Sequence, residues 1–211
     1  MKKYRGAIVI SVIITLLPLV ASAIFWEEIP NQVATHFDLN WQANGWSSKG
    51  FALIGLPFLL AGLQLLVAFF VLNDPKQKVT KRWIIYSVLG IIPLIALFVQ
   101  ALTISYALGN QATWLMKISP AAFIGIIFIV SGVILTAVPQ NYTVGIRLPW
   151  TLSSEQNWLQ TNRLGAKTFI AGGILMLLAS FVSWEFLMMP IIVIVILIPT
   201  IYSFWLHRKG I

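Results

Sequence analysis

The chain has 211 residues, 59% of them hydrophobic and 9% charged, with a formal net charge of +8 and a mean hydropathy of +0.89. A soluble globule carries about a quarter charged residues, so this composition excludes a water-soluble fold and describes an integral membrane protein. Its length allows several spans of ~20 residues and no sizeable soluble domain beside them. The chain has no cysteine, which removes disulfides, thiol catalysis and thiolate metal ligation.

Lys2, Lys3 and Arg5 precede an apolar run over residues 7–25, the first predicted span. Ala21-Ser22-Ala23 imitates a signal-peptidase site, so cleavage is the alternative to an uncleaved helix. The length of the run and the further spans behind it favour the uncleaved reading. Residues 26–50 form a polar loop with Glu27, Glu28, His36, Asp38 and Lys49, with Trp41 and Trp46, and with the turn signal Asn44-Gly45. A short strand over residues 35–39 would put His36 and Asp38 on one face, because alternate side chains point the same way. Two readings stay open for His36, Asp38, Trp46 and Lys49: a recognition patch or weak metal site, or a folded cap whose aromatics lie at headgroup level.

Span two covers residues 51–72, with Pro57 near its start and Gln64 as its strongly polar interior residue. A basic turn over residues 73–82 leads to span three, residues 83–108, kinkable at Pro93, and a short loop over 109–117 leads to span four, residues 118–138. The one polar passage of the second half follows at residues 141–167. Behind it the apolar run 168–206 would reach roughly 60 Å as one helix, twice the hydrocarbon thickness, so it must fold back. The turn belongs near residues 183–190, giving span five at 169–184 and span six at 186–206.

The basic residues test an orientation. With the N-terminus inside, the inner segments hold Lys2, Lys3, Arg5, Lys76, Lys78, Lys81, Arg82, Arg147, Arg163, Lys167, Arg208 and Lys209, and the outer ones only Lys49 and Lys117. That asymmetry predicts an all-α bundle of six transmembrane helices with both termini cytoplasmic. Because the positive charge follows the membrane, it argues against direct nucleic-acid binding.

In the polar passage, Ser153 and Gln156 fit a capping box, which predicts an interfacial cytoplasmic helix ahead of span five. On it Glu155, Trp158, Leu159, Asn162 and Arg163 share one face. With Arg147, Pro149 and Trp150 they form either a cytoplasmic binding face or a headgroup anchor. Chemistry is poorly served: His36 and His207 fall on opposite sides of the predicted membrane, and no Asp, Glu, Lys, Arg or His lies mid-span. A serine nucleophile lacks a base and no pattern calls for a cofactor, while one histidine with scattered acids, His36 and Asp38 with Glu27 or Glu28, is a weak metal signal. The readings are a non-enzymatic peptide-binding membrane protein, a small transporter or lipid-handling channel, and a metal-dependent hydrolase at the outer loop.

Two places resemble the SdpI family of bacterial toxic-peptide immunity proteins. The first loop is similar at Ile29-Pro30, His36-Phe37-Asp38, Gly45 and Ser48-Lys49, with Trp41 where the family pattern has Gly. The polar passage is similar at Gly145, Arg147, Pro149-Trp150-Thr151-Leu152, Glu155, Trp158, Asn162-Arg163 and Gly165. The resemblance implies one membrane domain, residues 1–211, with a conserved-loop half at 1–75 and an immunity-signature half at 118–211. It implies a multi-pass protein of the bacterial plasma membrane whose partners are lipid, a secreted toxic peptide and a cytoplasmic repressor held at the membrane.

Overall fold

The computed structural model describes residues 2–38, 43–76, 81–109, 120–182 and 184–211. The described chain is mostly helical. In order it contains α1 (Arg5–Leu16), α2 (Pro18–Ile24), β1 (Gln32–Phe37), β2 (Ala43–Ser48), α3 (Leu56–Leu72), α4 (Arg82–Ala107), α5 (Pro120–Leu135), α6 (Pro149–Ser153), α7 (Glu155–Phe181) and α8 (Met188–Arg208). Five stretches are long and apolar enough to cross a membrane: Arg5–Ile24, Phe51–Leu72, Arg82–Ala107, Glu155–Phe181 and Met188–Arg208. The predicted fourth span is present as a shorter apolar helix, Ala121–Leu135. Leu, Ile, Val and Phe project outward from α1, α3 and α8, as helices in lipid require.

The chain divides into two compact units. The first comprises residues 1–69 and 88–118. Its hairpin is antiparallel, with Gln32 opposite Ser48, Ala34 opposite Trp46 and His36 opposite Gly45. The all-α expectation is corrected to this extent, and the predicted strand begins earlier than residue 35. Asn44-Gly45 is not the turn; it lies inside β2. Gly45 is needed there because a Cβ would come 2.8 Å from the Cβ of His36. Ile29 and Val33 bury against Ala52, Leu53 and Ile104, with Phe25 and Trp26 packed around them. One wide helical turn, Phe51–Gly55, opens the second apolar stretch. Such a turn loosens backbone carbonyls, which a neighbour must satisfy in an apolar setting. Ser22 Oγ donates to the Leu53 carbonyl at 3.0 Å, and Gln100 Nε2 donates to Ser22 Oγ at 2.8 Å.

The second unit comprises residues 70–87 and 119–211. Here α5 packs on α7 through glycine. A Cβ on Gly125 would stand 2.7 Å from the Gly173 carbonyl oxygen, and one on Gly132 would stand 2.9 Å from that of Ala166. Helices in lipid lack a hydrophobic drive toward each other, so small residues that bring backbones close supply the packing instead. On its other side α7 meets α8, where Thr168 Oγ1 donates to the Val195 carbonyl at 3.3 Å. The predicted interfacial helix and span five are therefore one uninterrupted rod, Glu155–Phe181. Gly165 neither ends nor interrupts it; it is the buried point where Ile146 seats against the helix.

Candidate functional site

The polar passage folds into a cap on the second unit. Asn141, 1% exposed, organises the loop that enters it. Its Oδ1 accepts from the backbone N–H of Thr143 at 2.8 Å and of Val144 at 2.6 Å, while its Nδ2 donates to the carbonyls of Pro139 at 2.7 Å and Val144 at 2.8 Å. One amide thus takes the role of a local ladder, a habit of Asn in turns. From the turn after α3, the Asp74 carboxylate accepts from Tyr142 N at 2.7 Å, Thr143 Oγ1 at 2.9 Å and Lys76 N at 2.9 Å. Lys76 Nζ donates to the Leu152 carbonyl at 2.8 Å and lies 5.1 Å from the Tyr142 ring centroid. Asp74 and Lys76 were not among the sequence-predicted site residues. They sit far from the cap in sequence, and only the fold brings them to it.

The signature residues divide into those that build the cap and those that face outward. Gly145 has φ 126° and lies against Trp158 and Asn162, where a Cβ would come within 2.7 Å of the indole. Trp158 is fully buried and donates from Nε1 to the Val138 carbonyl at 3.2 Å. Asn162 Oδ1 accepts from Ile146 N at 2.9 Å, and its Nδ2 donates to the Trp158 carbonyl at 3.0 Å. The expectation of one outward face is corrected here: Trp158 and Asn162 turn inward with Asn157 and Thr161, while Glu155, Leu159 and Arg163 stay exposed. A face drawn from spacing alone carries no information about which residues the preceding loop will cover.

Pro149 opens α6, and Thr151 closes its first turn, accepting from Leu148 N at 2.8 Å. The helix after it is capped one residue later than predicted. Ser154 Oγ accepts from Asn157 N at 3.2 Å, because Ser153 still belongs to α6. Trp150 is half-buried and donates from Nε1 to Ser203 Oγ at 2.6 Å. Ser203 donates on to Asn157 Oδ1 at 2.9 Å, and Asn157 Nδ2 donates to the carbonyls of Ser203 and Ile211, each at 3.1 Å. His207 stacks on the Trp150 ring at 5.5 Å. The far end of α8 is thereby locked to the cap. Arg147 is exposed and donates from Nη1 to the Tyr142 carbonyl at 2.7 Å.

In the first unit, His36 is exposed and its Nδ1 meets Asn44 Oδ1. Asp38 lies past the strand end, half-buried, and a register shift between His36 and Phe37 breaks the alternation that would have put the two on one face. Among the described residues no group of three or more His, Asp or Glu is placed to hold a metal ion. Trp46 is 58% exposed. Lys49 is a tether, its Nζ donating to the Ile29 carbonyl at 2.9 Å beside the Trp26 ring. Trp41 lies outside the described residues.

Long apolar helices, a small hairpin cap on one unit and a polar, hydrogen-bonded cap on the other define a multi-pass helical membrane protein. Residues 137–203 match the SdpI/YfhL protein family, and residues 13–61 match a domain of unknown function, DUF1648. Over 209 residues, 95% of this chain and 96% of the relative, it is 25% identical to the immunity protein SdpI of Bacillus subtilis. The resemblance to the SdpI family is borne out: the segment matching that family carries the polar passage, and the segment matching the domain of unknown function carries the hairpin. No solved structure matches the chain.

Proposed function

We propose that this is a non-enzymatic immunity protein of the bacterial plasma membrane, crossing it six times with both termini cytoplasmic. It binds a toxic peptide on the outer side through the hairpin and adjoining span ends, and signals to a cytoplasmic repressor at the cap. The observation that carries this reading is the similarity to an immunity protein along almost the whole chain. In support, the hairpin offers His36 and an exposed Trp46, an aromatic and hydrogen-bonding surface suited to an amphipathic peptide, while the cap offers Arg147, Glu155 and Arg163 outward. The sixth crossing is α5, whose 16 residues rise ~24 Å, most of the hydrocarbon thickness. The halves at 1–75 and 118–211 are read as the peptide-facing and the signalling parts.

Expression in a strain sensitive to a secreted toxic peptide tests this. Survival should rise with the intact chain, and Ala at Arg147, Glu155 and Arg163 together should abolish signalling or protection while membrane insertion persists. No gain in survival across a panel of membrane-active toxic peptides counts against immunity. Loss of insertion in the triple variant would assign those side chains to structure instead.

A further inference from the structure

A groove of about 790 Å³ lies beside the cap in the second unit, within the size range of ligand sites. Its described lining has three cations, Lys81, Arg163 and Lys167, and no carboxylate. Arg163 and Lys167 are one turn apart on α7 and are both exposed, and Lys81, the exposed residue just before α4, lines the same groove. Arg163 and Lys167, at i and i+4, repel each other, and the side chain of none of the three has a hydrogen bond or ion pair among the described residues to offset its charge. Glu155, two turns before Arg163, is outside the groove lining.

The rest of the groove has another character. Leu135, Leu159 and Ile170 form apolar wall, and after Lys167 the helix carries no charged residue through Phe181. A cationic end thus passes into an apolar end at the point where α7 enters its hydrocarbon-compatible stretch. A free inorganic anion would use the first end only, and an acidic peptide would gain nothing from the second. We propose that the groove is a binding site for an anionic phospholipid, with the headgroup phosphate held by Arg163, Lys167 and Lys81 and an acyl chain lying along Leu135 and Ile170. Guanidinium and ammonium groups grouped at membrane level are the chemistry that recognises such headgroups. The site shares Arg163 with the outward surface proposed for signalling but requires neither a toxic peptide nor a repressor, so lipid retention and toxin survival can fail separately.

Native mass spectrometry of the full chain in detergent, with phosphatidylglycerol, phosphatidylcholine or inorganic phosphate added, tests the site. The intact protein should retain phosphatidylglycerol roughly tenfold more tightly than phosphatidylcholine. Inorganic phosphate at the same concentration should not displace it. R163Q/K167Q should lose roughly tenfold in retention, R163K/K167R should restore it, and R208Q, outside the groove, should leave it unchanged. Equal retention of the two lipids by the intact protein overturns the proposal, and that comparison decides even where the Gln variant fails to insert. Displacement by inorganic phosphate would mark a free-anion site instead, and unchanged retention in folded R163Q/K167Q would place the lipid elsewhere.

Discussion

Trp158 and Arg163 are both signature residues on α7, yet they do different work. Trp158 is enclosed and bonded to the Val138 carbonyl, whereas Arg163 is exposed. Trp158→Ala should cost about 3–5 kcal/mol, the loss expected for a buried aromatic. Gly145→Ala should cost about 1–3 kcal/mol, because alanine is strained at a positive φ and its Cβ meets the indole. Arg163→Ala should stay within about 0.5 kcal/mol of the parent. Denaturant unfolding in detergent measures all three, and equal losses would refute the division between builders and outward groups. Gln64 makes a different case. Its Nε2 donates to Ser11 Oγ at 2.8 Å and to the Leu89 carbonyl at 3.0 Å, while its buried Oε1 has no partner among the described residues. Gln64→Leu removes an unsatisfied acceptor as well as two bonds, so its effect on stability should be under about 1 kcal/mol. A loss of several kcal/mol in the same assay would mean that the amide is a structural keystone.

At the scale of elements, the α5–α7 contact depends on glycines that no helix propensity would favour. Gly125→Leu or Gly173→Leu must push backbone from backbone, with expected destabilisation of about 2–4 kcal/mol, above the usual overpacking cost because the obstacle is a carbonyl rather than a flexible side chain. Gly62 and Gly90 have open space around a Cβ, and alanine there should be neutral or slightly stabilising. Thermal unfolding of the four variants would show the contrast or its absence. The apolar stretches were legible in the sequence because burial in lipid demands length and composition, not partners. The join between the polar helix and span five was not legible. Gly165 reads locally as either a stop or a bend into span five, and only Ile146, arriving from the preceding loop, makes it a packing position within a continuous helix.

For the whole molecule, orientation is the property on which the proposed function turns. The chain has no native cysteine, so Gln32→Cys in the hairpin and Ser153→Cys beside the cap can be labelled singly. Both positions are exposed. A membrane-impermeant maleimide added to intact cells should label the first and not the second, with the reverse in inverted vesicles. Labelling of both from one side would remove the separation of peptide binding from signalling.

The amino-acid sequence by itself determined that the chain lives in lipid, where its apolar stretches lie, and which two polar passages stand apart from them. These follow from transfer free energies and charge sorting, which act residue by residue. Tertiary structure alone decided which residues of the polar passage are structural and which are presented outward. Asp74 and Lys76 come to the cap from the turn after α3, and Ser203 comes from α8 to meet Trp150 and Asn157. A hydrogen bond between residues tens of positions apart leaves no periodic trace in either segment. The interior of the cap is set by which chains meet, and the same spacing would serve a buried face or an exposed one.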